Sequence, residues 1–312
     1  MKFWYMASGS WGAQCLLKLR EKKDFLPEMV ITANPKPSGR GLKLKPNEVE
    51  EAATSLECFI RRSDNINLDE ELKRELFVRK PDAILVIDFG QKVKEPYLST
   101  PKFGCINLHP SLLPKYRGAA PIQRAIMDGQ EITGVTVFKL TEQMDAGPII
   151  AQKEVLIDLD DTAYTLGMKL LSEGVNLLAD ALHSLISGAV QFKEQDESEA
   201  SYAPKITSEE SFFNFSKEAI KIHNKVRALN PKPGAYTFVK GKRLKVWRTG
   251  LINAEDVLGL PGMILNTKED HPIIACIKGA ISLREVQWEG KPPIDGRSFL
   301  NGLRLREGDV LS

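Results

Sequence analysis

The stretch that decides the fold is Pro81-Asp82-Ala83-Ile84-Leu85-Val86-Ile87-Asp88-Phe89-Gly90. Five consecutive apolar residues, Ala83 to Ile87, lie between a proline and a glycine. A strand with one wet face alternates polar and apolar. An unbroken apolar run of this length suits a strand buried on both faces, as in a parallel sheet covered by helices. The neighbouring sequence repeats the theme. Upstream, Phe3–Met6 reads as a strand that turns at Ala7-Ser8-Gly9-Ser10 into a helix carrying Cys15, Leu16, Leu17 and Leu19. Met29–Thr32 reads as a strand, 34–46 as a Pro-, Gly- and Lys-rich loop, 56–60 as a short strand and 68–78 as a helix. Strands alternating with helices predict an α/β fold with a doubly wound, mostly parallel sheet. Ligands of such sheets bind beyond the carboxyl ends of the strands.

Downstream, Cys105–His109 is a strand ending in a polar cluster, Pro121–Met127 a helix, and 134–140 and 149–155 two further strands. A long helix is expected over 162–186, with Asp160-Asp161 placed to cap its start. Residues 188–204 are polar and acidic, so 189–206 reads as a linker. After an amphipathic helix at 216–229 come short strands with Gly/Pro turns at Ala235–Val239, 243–247, 263–266, 273–277 and 281–286. That pattern predicts a small C-terminal β-barrel, OB-like. The expected organisation is therefore a first domain over 1–188 and a second over 207–312. Two domains also suit a chain of 312 residues.

At 42 % apolar and 27 % charged residues the composition is that of an ordinary globular protein, not of a disordered or fibrous chain. The apolar run above is far short of the roughly twenty residues a bilayer span needs. Met1-Lys2-Phe3-Trp4-Tyr5 goes straight into a strand and has no signal-peptide pattern, so the expected compartment is the cytoplasm. The four cysteines, Cys15, Cys58, Cys105 and Cys276, make no C-x-x-C pair, and the four histidines make no H-x-x-x-H pattern. No protein-bound metal and no disulfide framework are expected. No phosphate-cradling G-x-x-x-x-G-K-[ST] loop is present either.

Net charge is only +2, but its distribution is uneven. Residues 1–206 carry 26 Lys/Arg against 29 Asp/Glu, and residues 207–312 carry 17 against 12. Within 214–248 there are ten basic residues and a single acid, Glu218. A run of charge is commonly a solvated face, but this one is dense enough to suggest a polyanion, nucleic acid above all, as a partner of the second domain.

The chemistry points to Asn107, His109 and Asp145. Asn107-Leu108-His109-Pro110-Ser111 ends a strand in the α/β half, and Asp145 follows 36 residues after His109 in Met144-Asp145-Ala146-Gly147. An amide can donate to an oxygen that gains negative charge. An imidazole can do the same or move a proton near neutral pH. A carboxylate can orient the imidazole or take the proton of an attacking amine. Taken singly, each has a plain structural reading: a core histidine, a turn aspartate, a strand asparagine. From residues alone the chain reads as a metal-free group-transfer enzyme with a basic auxiliary domain.

Longer motifs say more. Gly104–Asn107, His109–Leu113, Arg117-Gly118-Ala119-Ala120-Pro121-Ile122-Gln123, Thr133-Gly134-Val135-Thr136 and Asp145-Ala146-Gly147 closely resemble the folate-dependent formyltransferases. So do Pro37-Ser38-Gly39-Arg40-Gly41, Tyr202-Ala203-Pro204-Lys205-Ile206, Asn230-Pro231-Lys232-Pro233-Gly234, Lys242-Arg243-Leu244-Lys245-Val246-Trp247 and Phe299-Leu300-Asn301-Gly302. Within that family the chain resembles the branch acting on methionyl-tRNA, along almost its whole length. The resemblance implies transfer of a formyl group from 10-formyltetrahydrofolate, as donor co-substrate, to the α-amine of methionine on initiator tRNA; a monomer is expected, though no residue pattern sets the oligomeric state. It implies Asn107, His109 and Asp145 as the catalytic trio. It implies a folate site lined by Ser111, Leu112, Leu113, Pro114, Val86, Ile87, Phe89 and Gly90. It implies tRNA contacts from Arg40, Lys43 and Lys45 on the first domain and from Lys232, Lys242, Arg243 and Lys245 on the second. A sugar-nucleotide N-formyltransferase is the alternative within the family, and a catalytically dead tRNA-binding protein the alternative outside it; the basic window and the intact trio speak against them.

One departure stands out. The family usually has Gly-Thr-Pro and a following Phe after the first strand, where this chain has Ala7-Ser8-Gly9-Ser10-Trp11. A Gly/Ser turn there resembles the phosphate-gripping turn of glycinamide ribonucleotide formyltransferase. Asp88, just past the buried run, reads either as a turn residue or as a pterin contact.

Overall fold

The computed structural model describes residues 1–22, 25–38, 43–252, 259–267 and 271–311. In chain order its elements begin with β1 (Phe3–Met6), α1 (Ser10–Glu21), β2 (Met29–Thr32), β3 (Lys36–Ser38), β4 (Lys43–Lys45), α2 (Glu48–Ser55), β5 (Ile60–Arg62), α3 (Glu70–Arg79), β6 (Ala83–Val86) and β7 (Cys105–His109). They continue with α4 (Pro121–Met127), β8 (Ile132–Lys139), β9 (Ile149–Leu156) and α5 (Ala163–Ser187). The remainder is α6 (Ala219–Ala228), β10 (Ala235–Val239), β11 (Lys242–Ile252), β12 (Ile264–Asn266), β13 (Ile273–Ala275), β14 (Ala280–Trp288), β15 (Ile294–Asp295) and α7 (Gly296–Leu303). No helix among the described residues is long and apolar enough to cross a membrane.

The chain forms two compact units. One comprises Met1–Gly118, Thr133–Leu156 and Gly167–Tyr202; the other comprises Ala119–Ile132, Ile157–Leu166 and Ala203–Ser312. The first is built on a seven-stranded sheet in the order β5-β2-β1-β6-β7-β8-β9. The pairs β5/β2, β2/β1, β1/β6 and β6/β7 are parallel, and β8 runs antiparallel to β7. β1, β2 and β6 are buried at every position, which is why they read as continuous apolar runs. Strand order reverses beside β1: the chain moves outward to β2 and β5, then returns to β6 on the other side. The crevice between the carboxyl ends of β1 and β6 is thus the topological switch point, the usual ligand site of an open α/β sheet.

Two local expectations give way to tertiary packing. The strand expected at 56–60 lies instead at Ile60–Arg62, because helix α2 holds the preceding residues. Asn47 caps α2 by accepting the Glu50 amide, Val49 and Ala53 are fully buried, and the Cys58 amide still donates to the Ala53 carbonyl. The loop expected at 34–46 contains a short antiparallel ribbon, β3 with β4. The cap of α5 also differs from expectation. Thr162 Oγ1 accepts the Thr165 amide at 3.2 Å, while the Asp161 carboxylate takes the Thr165 hydroxyl and the Asp158 amide. A hydroxyl at that position reaches the orphan amide and leaves the carboxylate free to tie down the loop before it.

The second unit is an antiparallel sheet in the order β10-β11-β14-β13-β12, with β15 on β14. Its core gathers Phe213, Ile222, Val226 and Leu229 with Leu244, Val246, Ile281, Leu283, Val286 and Phe299. Alternate residues of β10, Ala235, Thr237 and Val239, point into that core. Among the described residues the pairing path runs from β10 to β12 without a closing pair, so where a small barrel is expected the structure has an antiparallel sheet about one core. Two segments from earlier in the chain belong to this unit. Met127 of α4 packs on the core, and His223 of α6 is buried between the Thr249 hydroxyl and the Leu159 carbonyl. Burial lowers the pKa of His223 below its ordinary value.

Candidate active site

Parallel pairing with β6 and antiparallel pairing with β8 leave little freedom at the end of β7. Asn107 lies opposite Phe138 and His109 opposite Thr136. His109 is 6 % exposed, its ring edge-on to Phe138 at 6.4 Å between centroids. Its Nε2–H donates to the Tyr116 carbonyl at 2.9 Å. Its Nδ1 then lies 3.9 Å from Asp145 Oδ2. That carboxylate oxygen accepts the Gly118 amide at 2.8 Å. The three expected residues therefore converge at one strand end. Asn107 Oδ1 is buried, with no hydrogen-bond partner among the described residues. A buried amide oxygen without a partner is costly unless a ligand or water supplies one, so it marks a place where a ligand's N–H fits.

Asp145 is presented by a loop of unusual backbone. Its φ is +51°, in the left-handed region that Asp tolerates better than most residues. Gly147 follows because a Cβ there would lie 1.8 Å from the Lys139 carbonyl oxygen. Gln195 Nε2 donates to the carbonyls of both Asp145 and Gly147, at 2.8 and 2.7 Å. Gln195 Oε1 accepts from Arg117, whose side chain is buried and also paired with Glu197. In the sequence Arg117 stands out only as part of a motif, and Gln195 and Glu197 fall within the linker-like stretch; their spacing carries no local signal.

Of the residues expected around the folate, Val86, Ile87, Ser111 and Leu113 have buried side chains, while Leu112, Pro114 and Phe89 are half-buried and Gly90 is exposed. The Ser111 hydroxyl is spent on the Lys115 carbonyl at 2.6 Å. Thr136 Oγ1 donates to the Ser111 carbonyl and accepts from the Leu113 amide, and Gln152 Nε2 donates to the Leu113 carbonyl. The 111–114 loop is thus braced from β8 and β9, and offers backbone and Leu112, not the Ser111 hydroxyl.

At the switch point Asp88 has a definite task. It too is left-handed, with φ +49°. Its carbonyl accepts the amides of Ser8 and Gly9, and its Oδ2 accepts those of Trp11 at 3.2 Å and Gly12 at 3.4 Å. The carboxylate therefore caps helix α1, whose own N-cap, Gly9, has no side chain to do so. A Cβ on Gly9 would lie 1.9 Å from Asp88 Oδ2, so Gly9 makes room for that cap. Loss of solvent around the carboxyl raises its pKa, against the pull of the Gly12 and Trp11 amides. Four amides of this turn, those of Ser8, Gly9, Trp11 and Gly12, are thus already taken by the Asp88 carbonyl and carboxylate. A neighbouring cavity of about 810 Å³ is lined by Ser8, Asn34, Lys36, Lys45, Glu48 and Gly90 among others, at the carboxyl ends of β1 and β2.

Arg40 lies outside the described residues; Lys43 is on β4, and Lys45 is exposed. In the second unit Lys232 and Lys242 are exposed. The Arg243 guanidinium sits 3.8 Å above the Tyr236 ring and Lys245 Nζ 5.0 Å above Trp247. Tyr236 is flanked by Phe212 and Phe238, both partly exposed, so cations and aromatic faces lie side by side there.

Residues 1–182 match the formyl transferase family and residues 205–304 match the formyl transferase C-terminal domain. The chain belongs to the formyl transferase family. Its relatives include the methionyl-tRNA formyltransferase of Kosmotoga olearia, 37 % identical over 310 residues that cover 99 % of this chain and 98 % of that protein. The methionyl-tRNA formyltransferase of Halothermothrix orenii is 38 % identical over 316 residues, covering 100 % of both. Among solved structures, an N-formyltransferase from Helicobacter canadensis with folinic acid and dTDP-3-aminofucose shares the fold. Its TM-score is 0.69 at 22 % identity, over 91 % of this chain and 98 % of that one.

Proposed function

We propose that this chain transfers the formyl group of 10-formyltetrahydrofolate to the α-amine of methionine esterified to initiator tRNA. The observation that carries the reading is end-to-end likeness, over 99 % of this chain, to a relative named for that acceptor. The site chemistry fits it. The donor supplies a formyl group on nitrogen, and the chain's residues do the rest. Asn107 donates its amide N–H to the formyl oxygen as it gains charge, and His109, whose Nε2–H is held by the Tyr116 carbonyl, adds positive charge beside it when Nδ1 takes a proton. His109 Nδ1, 3.9 Å from the Asp145 carboxylate, takes the proton the attacking amine loses, and that proton passes to the folate nitrogen as its bond to the formyl carbon breaks. Holding amine and formyl carbon together supplies much of the acceleration.

In this reading residues 1–188 bind the folate, with the backbone at Val86, Ile87, Phe89 and Gly90 and the loop Ser111–Leu112–Leu113–Pro114 around it. Residues 207–312 bind tRNA through Lys232, Lys242, Arg243 and Lys245, with 189–206 between the two, and Arg40, Lys43 and Lys45 reach the acceptor arm. The enzyme is a cytoplasmic monomer. A sugar-nucleotide acceptor is disfavoured by the ten-to-one basic window.

The test is transfer of radiolabelled formyl from 10-formyltetrahydrofolate to methionyl initiator tRNA, with a 4-amino-4-deoxy sugar nucleotide as parallel acceptor. Label on the tRNA, lost in Asn107→Ala and His109→Ala proteins that remain folded, is the expected result. Label on the sugar alone would overturn the acceptor, and full activity in either variant would overturn the site.

A further inference from the structure

Gln195 uses both ends of its carboxamide. The NH₂ end donates to two carbonyls of one loop, those of Asp145 and Gly147, at 2.8 and 2.7 Å. The oxygen end accepts from Arg117 Nε at 3.1 Å and Nη2 at 2.8 Å. Arg117 is 2 % exposed, and its Nη1 and Nη2 also donate to the Glu197 carboxylate at 2.9 and 2.7 Å. The next residue in the chain, Gly118, donates its amide to Asp145 Oδ2 at 2.8 Å. Hydrogen bonds thus run from the Arg117 side chain through Gln195 to the Asp145 backbone, and return from the Asp145 carboxylate to the peptide beside Arg117. The closed ring holds Asp145 at its positive φ and sets the carboxylate 3.9 Å from His109 Nδ1.

We propose that Gln195 is a positioning residue for Asp145, clamping the 145–147 loop while Arg117 and Glu197 hold the clamp. The proposal rests on Asp145 being catalytic, as argued above. The side-chain chemistry is restrictive. Only a carboxamide offers two donors and an acceptor at once. Glutamate keeps the acceptor for Arg117 but, when ionised, has no donor for the two carbonyls. Methionine has neither. Asparagine has the right groups but is one methylene too short.

The experiment compares full-length wild type, Gln195→Glu, Gln195→Met and Asp145→Asn in formyl transfer to methionyl-tRNA, with kcat and KM for each substrate and a thermal midpoint for each protein. If the donors hold the loop, Gln195→Glu and Gln195→Met both lose about 10²-fold in kcat, the loss expected from a misplacement near 1 Å. KM for donor and acceptor stays near wild type, and each kcat is read well below that protein's own midpoint. If Gln195→Glu turns over like wild type, the loop does not need the donors and the proposal is overturned, whether or not Gln195→Met folds. If the loss in kcat disappears when each variant is assayed well below its own midpoint, Gln195 is merely structural and the proposal is again overturned. Wild-type turnover by Asp145→Asn would instead refute the catalytic reading beneath it.

Discussion

Replacing Asp145 by asparagine tests the electrostatics of the site with little change in its shape. The carboxylate and the His109 ring are 3.9 Å apart, with side-chain exposures of 15 % and 7 %. Two unit charges about 4 Å apart interact by about 4 kcal/mol at an effective dielectric constant near 20. If transfer passes a proton to His109, that attraction stabilises the imidazolium as it forms. Removing it costs up to about 10³-fold in rate, at roughly 1.4 kcal/mol for each factor of ten. The asparagine Oδ1 can still accept the Gly118 amide, and the bonds from Gln195 go to backbone carbonyls, so the loop stays in place. The thermal midpoint should therefore move by no more than about 4 °C. The assay is single-turnover transfer with saturating donor and methionyl-tRNA, across the pH range in which histidine titrates. A variant that keeps the wild-type rate at every pH would show that the charge is not coupled to His109, and the reasoning would fail.

Gly9→Ala should destabilise the protein by about 1 kcal/mol, a typical lost helix cap, because its Cβ collides with the Asp88 carboxylate. In an Asp88→Ala background the same change should be nearly neutral; additive effects in urea unfolding would refute the coupling. Because burial lowers the pKa of His223 in the folded state, the unfolded chain binds the extra proton first, and stability falls as pH drops below the ordinary histidine value of about 6.5. Urea midpoints taken above and below that pH should separate for wild type and converge for His223→Gln. Arg243→Ala should weaken tRNA binding and reduce the salt slope of log K by about 1, with donor affinity unchanged. An unaltered slope would remove Arg243 from the interface.

The periodic features were legible in the chain. β1, β2 and β6 are buried on both faces, so each must be apolar throughout, and that pattern survives in one dimension. Asn107 and His109 were legible because they end β7, a strand of the same sheet, where α/β sheets carry their sites. Sequence alone also separated the acidic-to-neutral first half from the basic second, since charge composition needs no contacts to be counted. Only the tertiary structure decided which distant groups meet. It brought Asp145 to His109 and set Gln195 on a loop 50 residues away and on an arginine 78 away. It placed Asp88 on the first turn of a helix 77 residues earlier in the chain, and it put 119–132 and 157–166 with the C-terminal unit. The physical reason is the same in each case. Burial periodicity is a property of one element, whereas a hydrogen bond between two loops depends on where the packed sheet delivers their ends.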